Sequence, residues 1–220
     1  MKIVAVIPAR YSSSRFPGKP LADICGKPMI WWVYRQLSLV KGLDGIFVAA
    51  DDHRVTDVCA ELGINYIMTS EKHPTHLDRL AEVAARVEAD FYININGDEP
   101  LMMPEYVEAL LPNESIDPND FYFANAMTKI KKPVEVNDVS RIKIATDNQG
   151  YGLYMARTPI PYPKASSDFD YTCYVKRYMT AFLDAKDKKN GKYEKVAKVF
   201  EDIYWLNPNL IEHIELNLRS

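Results

Sequence analysis

The sequence predicts an α/β protein, a Rossmann-like three-layer arrangement around a mostly parallel central sheet. Two observations carry this. Residues 3–7 form a short, continuous apolar run rich in β-branched side chains, the pattern of a strand covered on both faces in a parallel sheet. Strand-like and helix-like periodicities then alternate through residue 100, in units of about 30 residues that imply right-handed crossovers into one sheet.

Taken in order, the first strand stops at Pro8 and gives way to a polar loop over residues 9–20. Met29, Ile30, Val33, Leu37 and Val40 recur at helical spacing, and Pro28 suits the first turn of that helix. Residues 45–50 read as a strand and 55–62 as a helix capped by Asp51 or Asp52. Gly63 ends that helix, and residues 64–68 make a third strand. Leu80, Val83, Ala84 and Val87 share one face of a helix over 77–87. Residues 91–95 are a fourth strand, closed by the Gly97-Asp98-Glu99-Pro100 turn.

Beyond Pro104 the pattern loosens. Residues 121–126, 142–145 and 152–155 are strand-like, and prolines 159, 161 and 163 favour extended chain. The charged stretch 186–195 reads as a solvated helix end or loop. Residues 196–210 and 211–218 are expected to hold closing helices. No repeat or long linker divides the chain, so one domain is expected over 1–220, with its core in 1–110.

Hydrophobic residues make up 47% and charged residues 26%, which fits a globular protein and not a disordered one. A net charge of −3 argues against a general electrostatic grip on nucleic acid. No apolar run reaches bilayer length. The five apolar residues after Lys2 are too few for a secretory signal. Cys25, Cys59 and Cys173 are odd in number and widely spaced, so buried free thiols and a cytoplasmic location are expected.

Ligands of open parallel sheets collect at the carboxyl ends of the strands. The loop after the first strand carries Arg10, Arg15 and Lys19, with Lys27 a little beyond. Converging cations on a loop leaving a buried strand suit a polyphosphate, and Gly18 allows close backbone approach. Neither a Walker A loop nor a dinucleotide glycine fingerprint is present. Asp98 follows the fourth strand toward the same edge, where a hard oxygen donor opposite a polyphosphate suits Mg²⁺. His53 and His73 read as surface or capping residues, since no second histidine stands at metal spacing. Trp31 and Trp32 are expected to pack the first helix on the sheet.

Several segments together carry a resemblance. They are Ile7-Pro8-Ala9-Arg10-Tyr11, Ser14-Arg15-Phe16-Pro17-Gly18-Lys19-Pro20-Leu21 and Gly26-Lys27-Pro28-Met29-Ile30 in the opening, then Asp78-Arg79-Leu80-Ala81-Glu82 and Asn94-Ile95-Asn96-Gly97-Asp98-Glu99-Pro100. Weaker matches are residues 150–157, 160–163 and 212–215. The chain resembles the CMP-Kdo synthetases (3-deoxy-manno-octulosonate cytidylyltransferases), densely over residues 1–110, patchily to 164 and thinly afterwards.

That resemblance implies a nucleotidyltransferase fold with a smaller dimerisation hairpin region, and a homodimer touching near the proline-rich segment. It implies attack of an acidic acceptor on the CTP α-phosphate with loss of pyrophosphate. By position, Arg10 and Lys19 hold the triphosphate beside Pro8 and Ala9, Arg15 is a second-rank phosphate contact, and Asp98 binds Mg²⁺. Thr69 and Arg79 lie near the cytosine or ribose. His76, Asn96, Arg157, Tyr162, Glu212 and Glu215 belong to the acceptor side within about residues 111–220 and the loops facing it.

Four departures from the family concern the acceptor. His76 replaces a glycine, and Asn96 replaces a glutamine. The family's His-x-Gly-Ile-Tyr segment has no clear counterpart between Asp170 and Phe182. The closing Gly-Val-Asp-Thr-Pro-Glu-Asp-Leu stretch, whose first aspartate helps hold magnesium, is missing, which leaves Mg²⁺ either to Asp98 and phosphate oxygens or to a substitute carboxylate such as Glu212 or Glu215. The family implies Kdo or a related acid as acceptor, whereas these departures, which leave the CTP half intact, point to an acceptor other than Kdo, such as another acidic sugar or a phosphonate. Competing readings are a UTP- or GTP-dependent sugar-phosphate enzyme, which usually opens with more glycines, and a nucleotide-binding relative without turnover.

Overall fold

The computed structural model describes residues 1–12, 16–112, 124–130, 132–147 and 152–159, and the backbone of 175–184. Its first strand, β1 (Ile3–Ala9), is buried along nearly its whole length, as an apolar run bounded by polar loops dictates. A 3-10 turn, Lys19–Leu21, leads to the two-residue strands β2 (Asp23–Ile24) and β3 (Lys27–Pro28). Between them Cys25 and Gly26 both take positive φ, 52° and 81°, the twist a tight hairpin needs. Cysteine in place of the usual asparagine or aspartate hid this hairpin in the sequence.

Helix α1 (Met29–Leu37) starts directly after it, with Pro28 as the residue before the first turn and not within it. Strand β4 (Gly45–Ala50) has the expected bounds. Helix α2 (His53–Glu61) begins where the Asp52 carboxylate accepts the Arg54 N–H. Strand β5 (Tyr66–Met68) and helix α3 (His76–Arg86) follow. Thr75 and Asp78 cap α3 reciprocally, each side chain accepting the other's backbone N–H, which satisfies two otherwise orphaned donors.

Strand β6 (Phe91–Asn94) leads to a short helix, α4 (Pro104–Glu108). The later elements are β7 (Asn125–Lys129), α5 (Val134–Asn137), β8 (Lys143–Thr146), β9 (Gly152–Ala156) and β10 (Val175–Asp184). The closing helices expected over 196–218, the charged stretch 186–195 and the prolines at 161 and 163 lie outside the described residues.

The sheet runs β5-β4-β1-β6-β10-β8-β9, with β7 also on β10. Strands β5, β4, β1 and β6 are mutually parallel, and the pairings from β10 onward are antiparallel. Alternate residues of β1 serve opposite layers. Ile3, Ala5 and Ile7 pack with α1, α2 and α4, while Val4 and Val6 pack under Leu80, Val83 and Ala84 of α3. Strand β10 was not expected, and its pairing with β7 explains why. Register shifts at Arg177, Met179 and Ala181 break the two-residue alternation that marks a strand.

The order of the parallel strands fixes where a ligand goes. The chain moves from β1 outward to β4 and β5, then returns to the opposite side of β1 as β6. The loops after β1 and β6 therefore part at a topological switch point, where such sheets open a crevice.

Candidate active site

The crevice is there: a cleft of about 710 Å³ lined by Pro8, Arg10, Ser12, Lys19 and Pro20 from the β1 side and Asn96, Gly97 and Asp98 from the β6 side. Pro74, Thr75 and His76 close it at the start of α3. Its floor is tight. A Cβ on Gly97 would stand 2.9 Å from the Pro8 carbonyl oxygen, so only glycine lets the Asp98 loop settle against the end of β1.

Lys19 and Asp98, which lie 79 positions apart, meet across the cleft with Nζ 2.5 Å from Oδ2. Both side chains keep solvent access, 38% and 49%. Arg10 donates to the His73 carbonyl at 2.6 Å, and among the described residues no carboxylate pairs with it. Asn96 donates to Glu99 at 2.9 Å. The cleft thus presents two cations, one carboxylate and an amide at one sheet edge.

Behind this lining stands a second set of contacts that fixes the loops. The Asp51 carboxylate accepts the Tyr11 N–H at 3.0 Å and the Arg79 guanidinium at 2.9 Å. Arg79, with no exposed surface, also donates to Thr69 Oγ1 at 2.6 Å, whose hydroxyl donates to the Ala50 carbonyl at 2.8 Å. Burial lowers the Arg79 pKa, with the nearby Arg10 charge pushing the same way and Asp51 opposing both. Among the described residues the Arg79 Nε has no hydrogen-bond partner.

Arg54 lies over the Tyr11 ring, 3.4 Å from its centre, and Asp52 grips the Arg54 guanidinium at 2.8 and 2.5 Å. Those hydrogen bonds lower the Asp52 pKa to about 2. Tyr11 is in turn covered by Gly18, whose N–H donates to the Tyr11 carbonyl at 2.8 Å. Tyr11 and Gly18 are thereby held in place, which limits the conformational cost of binding beside them.

Of the expected site residues, Pro8, Arg10, Lys19, His76, Asn96 and Asp98 come together in the cleft lining. Ala9 is buried beneath it. Thr69 and Arg79 are not in the lining; they are buried and brace it, because Arg79 needs its carboxylate partner more than it can reach solvent. Arg157 is exposed and donates to the Val139 carbonyl at 2.9 Å, so it is not brought to the cleft. Arg15, Tyr162, Glu212 and Glu215 lie outside the described residues.

Asp52 caps α2 and Asp51 does not. His73 is neither a capping nor a plain surface residue, since its ring faces Glu82 at 2.5 Å. Cys59 is buried and Cys25 exposed, against the expectation that both are buried. Trp31 packs on the core and meets Trp32 edge-on at 4.8 Å. The sequence reading missed the roles of Asp51, Tyr11 and Arg54. The adjacent acids at 51 and 52 were the available signal, since one cap needs only one of them.

A parallel sheet whose switch-point cleft sets two phosphate-competent cations against one carboxylate defines a nucleotidyltransferase fold. A family model described as "Cytidylyltransferase" matches residues 4–203, and the chain belongs to that family. The 3-deoxy-manno-octulosonate cytidylyltransferase of Syntrophotalea carbinolica is 45% identical over 168 residues, 74% of this chain and 65% of that protein. The chain thus aligns with just under two-thirds of that relative's length. The 8-amino-3,8-dideoxy-manno-octulosonate cytidylyltransferase of Shewanella frigidimarina is 39% identical over 191 residues, 83% of this chain and 78% of that protein. A solved CMP:2-keto-3-deoxy-manno-octonic acid synthetase complexed with CTP superposes with a TM-score of 0.78 at 37% identity, covering 91% of this chain and 84% of that one.

Proposed function

We propose that this protein transfers CMP from CTP to 3-deoxy-manno-octulosonate or a close acidic relative such as its 8-amino form, releasing pyrophosphate. The observation that carries the reading is the meeting of Arg10, Lys19 and Asp98 in one cleft. The acceptor's hydroxyl oxygen attacks the α-phosphorus, and the bond to the pyrophosphate oxygen breaks. Arg10 and Lys19 balance charge on the phosphates as it moves onto the leaving group. His76 and Asn96 belong to the same lining, which supports an acceptor-facing role for both.

The chemistry of Asp98 fits Mg²⁺, since its carboxylate already balances a cation, the Lys19 ammonium. Among the described residues no three acidic, histidine or cysteine groups cluster to hold a metal. Asp98 would supply one ligand and phosphate oxygens with water the rest. When bound, magnesium supplies further charge neutralisation at the phosphates. A homodimer in the cytoplasm belongs to this reading. Leu153 and Tyr154, exposed at 53% and 52% on the edge strand β9, support a contact there. No described helix is long and apolar enough to cross a membrane.

The test is pyrophosphate release from CTP and Mg²⁺ with 3-deoxy-manno-octulosonate, its 8-amino form and a phosphonate as separate acceptors. Selective turnover of one of the first two is expected. Turnover of the phosphonate alone, or only with UTP or GTP, would overturn the reading.

A further inference from the structure

We propose, resting on the reading above, that Lys19 is an exchangeable plug on the metal-binding carboxylate. In the empty cleft its ammonium neutralises Asp98, and a polyphosphate arriving on Lys19 frees that carboxylate for a divalent cation. Nucleotide binding thus completes the metal site, and metal without nucleotide is held weakly.

Four observations converge on this. The Lys19 Nζ lies 2.5 Å from Asp98 Oδ2, so an ammonium occupies the oxygen a metal needs. Both side chains are partly open to solvent, and exposed pairs of this kind are weak and exchange readily. Among the described residues of the cleft lining Asp98 is the one carboxylate, and the nearby Glu99 is engaged by Asn96 at 2.9 Å. Finally, Arg10 is held by the His73 carbonyl and so does not compete for Asp98, which leaves Lys19 as the cation that changes partner.

The charges balance at each stage. Empty, one ammonium matches one carboxylate. Loaded, the ammonium matches phosphate charge and the carboxylate matches metal charge. Because the same carboxylate and lysine serve both ligands, each ligand must raise the other's affinity by the same factor.

Manganese serves as the probe, followed by electron paramagnetic resonance of the full chain without nucleotide. Wild-type protein is expected to bind Mn²⁺ no more tightly than Asp98→Asn. Lys19→Met is expected to bind it about three- to fivefold more tightly than wild type, the range an exposed ion pair can account for. Lys41→Met, which removes a charge far from Asp98 in sequence and outside the cleft lining, controls for net charge. Loss of the gain in Lys19→Met/Asp98→Asn would locate it at the carboxylate. Equal Mn²⁺ affinity for wild type and Lys19→Met, or an equal gain in Lys41→Met, overturns the plug. Either result with brisk CMP transfer by wild type leaves the proposed activity standing. Unimpaired transfer by Asp98→Asn would instead remove Asp98 from the reaction.

Discussion

Arg79 and Asp51 form an ion pair of 2.9 Å in which the guanidinium has no exposed surface and the carboxylate side chain keeps 5%. Asp51 also accepts the Tyr11 N–H, and Arg79 also reaches Thr69. The pair therefore ties together the loops after β1, β4 and β5, of which the first and last line the cleft through Arg10 and Pro74.

Removing one partner of such a pair strands a buried charge. Asp51→Asn is expected to cost about 3–5 kcal/mol of stability, measured by urea unfolding. The double variant Asp51→Asn/Arg79→Met, which removes both charges, is expected to recover most of that loss. A double variant as unstable as the single one would show that the pairing is not the source.

Gly97 is constrained by its neighbour's backbone. Gly97→Ala brings a Cβ to 2.9 Å from the Pro8 carbonyl oxygen, and neither backbone has room to yield without moving the Asp98 loop. A loss of roughly 1–3 kcal/mol is expected from overpacking, together with a raised KM for CTP. Wild-type stability and KM in this variant would contradict the close approach.

Alkaline pH tests the buried acids. Burial pushes the Cys59 thiol from its ordinary 9.0 up to about 11 and raises the Tyr92 phenol as well. The unfolded chain therefore gives up the Cys59 proton first. Its contribution is complete below pH 9 and is lost as pH rises through about 11. Urea unfolding between those limits should show falling stability, and Cys59→Ala should fall less steeply. The same slope in both proteins would exclude the thiol.

Arg10 provides the check on catalysis. It reaches the cleft, and among the described residues its hydrogen-bond partner is a neutral carbonyl. Arg10→Ala is expected to lower kcat/KM for CTP by about 10²–10³-fold, the usual scale for a lost charge-stabilising donor, with little change in melting temperature. Retained turnover would mean that the guanidinium is not aimed at the phosphates.

Much of the first half of the fold could be read from the chain because its signals are local. Apolar runs, caps and terminating glycines placed β1, β4 and α1 to α3 within a few residues. The cleft was legible for the same reason: Arg10 directly follows β1, Lys19 closes the polar loop after it, and Asp98 lies in the turn after β6. Side-chain partners were not legible. Nothing in the spacing of Asp51, Thr69 and Arg79 shows that the arginine turns inward, because that depends on where β4, β5 and α3 end in space. The departures β10 and the Cys25-Gly26 hairpin have a different cause, irregular register and an atypical turn residue that leave no periodic trace.

The position of β10 in the chain has a consequence for assembly. It supplies the partner for Phe91 to Asp184, Asn94 to Ala181 and Asn125 to Ala181 in the sheet register, so the edge of β6 waits for residues synthesised some ninety positions later. Such long-range pairing is slow, and an open edge is a template for another chain. A version shortened ahead of residue 175 would retain the cleft residues yet is expected to accumulate as an aggregate.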